Sequence, residues 1–520
     1  MNPDTLASIQ LGTYVADQNT TDPNQPDYVR PEVIAAQPDL ALIRDLMAGT
    51  RRMHDRAGQY IPKWKDESDT VWHKRAKCEQ VYEGFGRTLS AAVGKLFAVP
   101  PKLSAEVMAE DIEAHWDNID AQGNKGDVAA KHFASDALAD GYALILVDHP
   151  TAPADQVVTM ASERQLGLRP VWAFYQREAV RSWRTAIVNN VEQTVQLVLA
   201  ESATDPDGAY GVTEVEQYRV LAVENGVAVW RLYRVVESQT ERSFMLEADG
   251  VFRDRAGRTR DTLPIAVAYA GRTDAAYTAT PPLLGVAWAN LGHWQQASNL
   301  RFYRELAAFP QPTVTGALMD GNGDPAALKL GPMVLVQVTE NGKFEWTELQ
   351  GSALDQVEKG VHAKEQQMAA MGVSFLSRDT RAAETAEAKR LDAAAEDSTL
   401  ATAAQAIEDA LNIAWEHHAW YLGLAKPDAP VLSLNRDYEN VTLTPQHAQA
   451  IAALIQAGMP IRQAVATLVV GGFLTATEDE IDMITMEWEA GRMALHARAD
   501  EAASDADDER DAEDENGSAR

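Results

Sequence analysis

The chain has 520 residues, 46% of them hydrophobic and 7% aromatic, so it can bury a core divided among several subdomains. Its formal net charge of −31 excludes a protein that grips nucleic acid through a basic surface, because such proteins carry a positive footprint. Residues 500–520 hold ten acids and two arginines, and we expect them to form an acidic disordered tail.

The chain has one cysteine, Cys78, which excludes an internal disulfide framework and a zinc site built from cysteines. We interpret Cys78 as a small buried apolar residue on a helix rather than a catalytic thiol. The N-terminus lacks a basic stretch followed by an apolar one, so no secretory signal is visible. The longest uncharged apolar run, residues 464–476, is shorter than the roughly 18 to 20 residues that span a bilayer. We therefore expect a reducing compartment and no membrane.

The first 40 residues contain five prolines, which predicts an extended N-terminal arm. Helical periodicity follows to about residue 140; Phe85, Leu89 and Val93, for example, recur on one helical face. Four later segments are rich in β-branched and aromatic residues and are separated by turn signals such as DPDG and ENG. They predict a mostly antiparallel sheet and comprise residues 142–148, 194–201, 212–221 and 226–236.

Helical periodicity returns between prolines at residues 282 and 310. Residues 311–350 have short β-type stretches around a Gly/Asn/Asp-rich turn, which predicts a small β or α/β module. A second helix begins at a capping serine, Ser352, and we place a break at residues 372–380. The helix after the break would be about 60 Å long if continuous. One returning strand and the helices of residues 446–457, 460–470 and 477–499 complete the prediction.

Catalytic and metal-binding patterns are absent or incomplete. The DGNGD segment, residues 320–324, imitates half of a calcium loop, but Pro325 and Gly331 stand where that loop needs glycine and a bidentate glutamate. Neither a phosphate-binding loop nor a GxSxG nucleophile motif occurs. We therefore predict no enzymatic activity, no cofactor and no metal ion.

For two clusters of potentially functional side chains we favour a structural role over a ligand-binding one. His417 and His418 are adjacent on a predicted helix and point apart, so they are better explained as core or interface histidines than as metal ligands. Residues 253–260 contain four arginines, which we interpret as a solvated hairpin or an intersubunit strip of salt bridges, with phosphate contact as the alternative.

Five segments, none of them a sharp motif, carry a family likeness through their order and spacing: residues 85–103, 137–150, 281–312, 371–411 and 434–460. They include "FGRTLSAAVGKLFAVPPKL" at the start and "LNRDYENVTLTPQHAQAIAALIQAGMP" at the end. In this order they resemble portal proteins of tailed bacteriophages, and most closely the siphophage-type portal group.

The resemblance implies an α+β portal fold with a β-rich and helical wing, a helical stem, a small α/β clip, a long radial helix and a helical crown. The implied boundaries are an N-terminal arm at 1–40, the wing at 41–280, stem helices at 281–310 and 351–371, the clip at 311–350, a tunnel loop at 372–380, the long wing helix and return strand at 381–445, the crown at 446–499 and the tail at 500–520.

The resemblance also implies a function. Portal proteins form a twelve-subunit ring at one capsid vertex, through which DNA is packaged and later ejected. The implied partners are further copies of the chain, the terminase large subunit, the major capsid protein, a head–tail adaptor and double-stranded DNA that passes without sequence readout. The implied location is the virion, after assembly in the host cytoplasm.

Three groups of residues follow from these assignments. The tunnel loop would present Val373, Ser374, Phe375, Leu376, Ser377 and Arg378 to the DNA. The clip would dock partners through Lys329, Lys343 and Trp346, and the first stem helix would contribute Trp288, Trp294 and Phe302. Two alternatives stay open: a ring-forming adaptor or scaffold without a DNA channel, and an unrecognised hydrolase on the β-rich half.

Overall fold

The computed structural model describes residues 22–103, 114–150, 167–237, 242–308, 311–315, 342–347, 352–376, 399–427, 429–434, 460–470, 481–488 and 490. The chain divides into two compact units after Arg436. Helices and antiparallel sheets make up the first unit, so the predicted α+β class is confirmed.

The N-terminal part of the first unit is helical. Pro31 lies at the start of the first helix, where its fixed φ suits a helix and its missing N–H is not needed. The prediction that an extended arm reaches residue 40 was therefore wrong for its last ten residues. The helices are α1 (Pro31–Met47), α2 (Thr50–Asp55), α3 (Ala57–Tyr60), α4 (Asp69–Lys77), α5 (Gly84–Leu96) and α6 (Gly126–Asp140).

A three-stranded antiparallel sheet follows α6, with β2 (Tyr142–Asp148) between β3 (Val171–Gln176) and β9 (Ile265–Tyr269). Successive side chains of a strand point to opposite faces, yet β2 is buried continuously from Tyr142 to Val147. Both faces of this sheet are therefore covered, which explains the unbroken apolar sequence of β2.

A five-stranded antiparallel sheet contains the other predicted strands, in the order β4-β5-β6-β7-β8. Tight turns join neighbouring strands: Asn189 and Asn190 have φ of 51° and 65°, and Asn225 and Gly226 have φ of 51° and 79°. Such left-handed pairs match the twist of a hairpin, so the ENG signal correctly marked a turn. The strands are β4 (Val180–Val188), β5 (Val191–Asp207), β6 (Gly211–Glu224), β7 (Val227–Glu237) and β8 (Arg242–Val251).

An arginine-rich turn, three pairs of short strands and three long helices complete the described part of the first unit. The arginine-rich residues 253–260 form a turn closed by a bridge between Arg253 and Thr259, so the predicted hairpin is present. The short strands β10 (Arg272–Ala275) and β11 (Thr278–Thr280) pair with each other, and β1 (Lys102–Leu103) pairs with the returning strand β14 (Leu432–Ser433). The longer elements are α7 (Leu284–Ala308), the strand pair β12 (Gln311–Thr315) and β13 (Lys343–Thr347), α8 (Ser352–Leu376) and α9 (Thr399–Tyr421).

The second unit has α10 (Ile461–Val470) and a helical stretch at residues 481–488 in its described part. Arg462 and Asp482 form an ion pair at 3.1 Å that joins these two helical stretches. No helix among the described residues of either unit is long and apolar enough to cross a membrane.

Helix α9 is anchored to the three-stranded sheet by its two histidines. Arg260 donates to Nδ1 of His417 at 3.1 Å, so Nε2–H of His417 donates to the carbonyl of Ile265 at 3.2 Å. Nδ1 of His418 accepts from Trp172 at 3.2 Å, and its Nε2 lies 2.9 Å from Nδ1 of His115. The prediction of core histidines is confirmed.

The neutral state of His417 makes stability depend on pH. Burial, and next the Arg260 guanidinium, lower the pKa of His417 to about 3. As the pH falls below about 6.5, His417 therefore binds a proton in the unfolded chain but stays neutral in the folded chain. The stability contributed by neutral His417 is present above pH 6.5 and is lost as the pH falls toward 3, by up to about 1.4 kcal/mol per pH unit.

We predict that His417→Gln flattens this acid dependence, because an amide keeps one acceptor for Arg260 and one donor for Ile265 but does not titrate. The measurement is the free energy of unfolding in denaturant between pH 4 and pH 7, relative to the native chain. His73→Gln, at an exposed position, is the control and should leave the slope unchanged. Equal slopes for the native chain and His417→Gln would contradict the prediction.

Candidate assembly site

Helices α7 and α8 pack against each other in opposite directions. His293 of α7 lies 3.2 Å from Glu365 of α8, and further along α7 Arg304 lies 2.5 Å from Glu358. As the residue numbers of these contacts rise along α7, those along α8 fall, so the two helices are antiparallel. The strand pair β12 and β13 lies in the segment between them, in the antiparallel register that sets Thr315 opposite Lys343. The described part of this segment is therefore a helix, a strand pair and a second helix that runs back along the first.

The Glu365 carboxylate is hydrogen-bonded to two histidines, one from each helix of the pair. His293 of α7 and His362 of α8 lie 3.2 Å and 3.1 Å from separate oxygens of Glu365. Hydrogen bonding to His362 lowers the pKa of Glu365, and the bond from His293 adds to this although burial opposes it. Glu365 thus carries a negative charge that joins the two helices.

An open cleft of about 560 Å³ runs along this helix pair. Apolar side chains of Leu300 and Val361 line it, and its charged lining includes Glu79, Arg301 and Glu305. Arg301 lies 3.7 Å from each of these two glutamates. The cleft therefore presents both apolar and charged groups.

The N-terminus of α5 is inserted closely between α7 and α8. Asn290 of α7 accepts from the backbone N–H of Phe85 at 2.9 Å and donates to the carbonyl of Tyr82 at 2.8 Å. A Cβ at Gly84 would lie 2.8 Å from Sδ of Met368 and 3.1 Å from Oδ1 of Asn290. Only glycine fits at this position without displacing its neighbours.

Helix α4 binds the other end of α7 through a buried arginine. Arg75 donates to both carboxylate oxygens of Glu67 at 2.8 Å and to Oδ1 of Asn299 at 3.0 Å, and its guanidinium lies 3.8 Å from the centre of the Trp64 ring. Beside it, Sγ of Cys78 lies 3.3 Å from the carbonyl of Ser298. Burial raises the pKa of Cys78, so its thiol stays protonated. Cys78 is half-buried and follows the last residue of α4, so the prediction of a buried residue within a helix was correct only in part.

The predicted stem residues lie on α7 but do not share one environment. Trp294 is fully buried and donates to the carbonyl of Glu79 at 3.3 Å. Phe302 is buried beside Trp64. Trp288 is 50% exposed and donates to Asp39 of α1 at 3.0 Å. Trp294 and Phe302 therefore stabilise the fold of the chain, and part of Trp288 is exposed at the surface.

Part of the segment predicted to form the tunnel loop is helical. Val373, Ser374, Phe375 and Leu376 belong to α8, so the break placed at Gly372 was wrong for its first five residues. Gly372 allows a close approach, since a Cβ there would lie 3.0 Å from Oγ1 of Thr88. Phe375 is only 7% exposed, so its ring is buried within the folded chain. Ser377 and Arg378 lie outside the described residues.

The predicted clip is described in part. Lys343 is exposed on β13, and the backbone of Trp346 pairs with that of Pro312. Lys329 and the DGNGD segment lie outside the described residues, as does the first part of the predicted long helix. Within the described residues no group of three or more histidine, cysteine or acidic side chains is arranged to hold a metal ion.

Sequence reasoning missed the residues that hold the helices together, namely Gly84, Asn290 and Arg75. Asn290 gave one weak signal, since it stands among apolar residues in a predicted helix. Nothing in its spacing identifies Phe85 and Tyr82 as its partners, because they lie more than 200 positions away in the chain.

Comparison with known proteins gives two kinds of match. The family model described as "Domain of unknown function (DUF4055)" matches residues 282–422, which include α7, β12, β13, α8 and α9. This is less than half of the chain. No curated protein matches the sequence.

Three solved structures are similar to this chain at low identity. A chain of "Virion of native gene transfer agent (GTA) particle" is 13% identical with a TM-score of 0.36, covering 82% of this chain and 95% of its own. A chain of "Neck of empty GTA particle computed with C6 symmetry" is 14% identical with a TM-score of 0.35, covering 82% and 99%. A chain of "Neck of native GTA particle computed with C12 symmetry" is 14% identical with a TM-score of 0.33, covering 84% and 98%.

Two glycines on α5 test the close packing described above. Gly84→Ala should lower the free energy of unfolding by about 1–3 kcal/mol, because the added methyl overlaps Met368 and Asn290. Gly86→Ala is the matched control: nothing lies within 4 Å of its Cβ position, so it should stabilise the chain by about 0.4–1 kcal/mol. Denaturant unfolding at one protein concentration measures both, and a shift in the same direction for both variants would contradict the packing argument.

Proposed function

We propose that this chain is the subunit of a ring-shaped, portal-type complex at one vertex of a phage-like particle. Double-stranded DNA would enter through the ring during packaging and leave through it during ejection. The role is structural rather than enzymatic. The packaging motor's terminase large subunit, the major capsid protein and a head–tail adaptor are the proposed partners, and the virion is the proposed location.

The observation that carries this proposal is the unit of α7, the strand pair β12 and β13, and α8. It lies where the sequence resemblance places a stem helix, a clip and a returning stem helix, and its two helices run antiparallel as a stem requires. Its open cleft and the exposed Trp288 supply surface for contacts with further subunits. Such contacts must be head-to-tail if they are to close a ring.

The charge of the chain also supports a channel for DNA. A basic lumen would bind the phosphates and slow a moving duplex, because each phosphate contact adds affinity. A chain with a net charge of −31 repels the polymer instead. We place the start of the DNA-facing segment after Leu376, so Ser377 and Arg378 remain as tunnel-loop residues and Phe375 serves the subunit core.

The assembly state of the full-length chain is the direct test. We expect native mass spectrometry to show a closed oligomer, which the family resemblance implies has twelve subunits. We expect negative-stain images to show a ring whose axial hole is wide enough for duplex DNA. A closed ring without such a hole would favour the adaptor or scaffold alternative. A compact monomer at high concentration would overturn the proposal and return attention to a hydrolase on the β-rich half.

Charge reversal in the clip tests the proposed partner contacts separately. Lys343→Glu, and likewise Lys329→Glu, should weaken binding of the purified terminase large subunit by about 1.4- to fivefold per contact, since an exposed ion pair contributes about 0.2–1 kcal/mol. Both variants should keep the ring. Lys65→Glu makes the same charge change at an exposed position among the N-terminal helices and should bind as the native chain does. Loss of the ring in the clip variants would count against the clip assignment.

A further inference from the structure

A two-stranded hairpin projects from the five-stranded sheet. In residues 202–216, which we call the arm, six residue pairs join β5 to β6, and no other described strand pairs with either of them there. The last pair is Asp207 opposite Gly211, so the arm is about 20 Å long. At its base, Arg242 of β8 bonds Glu216 of β6 at 2.6 Å. Two strands alone are marginally stable in water, so we expect the arm to be stabilised by a contact outside the subunit.

The arm is acidic and carries an exposed aromatic side chain at its tip. Residues 201–216 contain five acids and no lysine or arginine. Asp207 and Glu214 are exposed and form no ion pair with a described residue. Tyr210 lies at the tip and is fully exposed. These groups suit a cationic partner surface, because a cation is attracted by carboxylates and by the face of an aromatic side chain.

An arginine-rich turn provides a cationic surface on the same chain. Residues 253–260 contain four arginines and one acid, in a chain of net charge −31. The acid, Asp254, is buried and bonds Arg258 at 2.6 Å. Arg253 is exposed and forms no ion pair with a described residue, and its Nη1 donates to the carbonyl of Gly257 at 3.1 Å. The turn therefore displays excess positive charge at a fixed position.

The arm and the arginine-rich turn lie at opposite ends of the five-stranded sheet. One row of facing residues crosses β5, β6, β7 and β8, namely Gln196, Ala222, Val229 and Val251. The turn begins two residues after Val251. Asp207 of the arm lies 11 residues beyond Gln196 along β5, which is about 35 Å in an extended strand. The two surfaces therefore cannot meet within one subunit.

We infer that the arm of one subunit docks on the arginine-rich turn of the next subunit. The carboxylates of Asp207 and Glu214 face Arg253 and the other arginines of the turn, and the side chain of Tyr210 lies against a guanidinium. Pro206 in β5 has no N–H and disfavours a further strand, so the contact uses side chains rather than strand addition.

The contact has a direction that suits a closed ring. Its two surfaces differ and lie at opposite ends of the sheet, so each copy uses its arm toward one neighbour and its turn toward the other. The same contact can therefore repeat with the same rotation from copy to copy, and closing the ring occupies the last arm and the last turn. The inference rests on the proposed ring and identifies one of the contacts that closes it.

Cysteine cross-linking tests the docking. Ala209 in the arm and Ala256 in the turn are both exposed, so both can be replaced without disturbing the core. The variant with both Ala209→Cys and Ala256→Cys should give a ladder of covalent oligomers with a short bis-maleimide, because the two cysteines then lie close together across each contact. Each single variant, and Ala209→Cys combined with Lys65→Cys, should remain monomeric on a denaturing gel. Cys78 is present in all of them and reports the background.

The outcomes separate this inference from the proposed function. Native mass spectrometry of the unmodified chain first establishes whether a ring forms. A ring whose double variant cross-links no more than the single variants overturns the docking and leaves the portal proposal standing. Covalent dimers from Ala209→Cys alone would show that arms meet each other and would also overturn it. A chain that stays monomeric overturns both.

The tip tyrosine provides a second readout that needs no cross-linker. Tyr210→Ala should weaken subunit association by roughly two- to thirtyfold per interface, the range of a cation–π contact. It should leave the free energy of unfolding unchanged, because the side chain is fully exposed in the subunit. Tyr210→Phe keeps the aromatic side chain and should associate as the native chain does. Native-like association of Tyr210→Ala would contradict the docking.

Discussion

The insertion of α5 between α7 and α8 is the constraint on which the candidate assembly site depends. Gly84 lets the backbone of α5 approach Met368 and Asn290, and Asn290 satisfies backbone groups at Phe85 and Tyr82. A larger side chain at Gly84 would separate all three helices. The antiparallel helix pair is thereby held against the N-terminal helices, and a cleft along it stays open in the described part of the chain.

Buried polar groups set the positions of the long helices elsewhere in the first unit. Arg75 joins α4 to α7, and His417 and His418 join α9 to the three-stranded sheet. These groups direct packing because an unpaired buried donor or acceptor costs about 1–3 kcal/mol. A helix that shifts along its neighbour loses such partners, whereas a purely apolar contact would tolerate the shift.

The surface of the subunit divides into regions with different expected roles. The cleft along α7 and α8 and the exposed Lys343 of β13 offer charged groups, which favour specific docking.

The sequence by itself determined the local structure of this protein. Alternation and apolar continuity located β2, β5, β6 and β7, asparagine and glycine marked the hairpin turns, and helical periodicity located α5 and α7, because each signal depends on residues close together in the chain. The tertiary structure alone decided that α8 continues past Gly372 and which residues hold the helices together. Glycine usually interrupts a helix, yet Gly372 lies within α8 and packs against Thr88. Asn290 bonds Phe85 and Arg75 bonds Asn299, and in each pair the two residues are more than 200 positions apart in the chain. Contacts of this kind depend on the folded chain, so local sequence patterns cannot specify them.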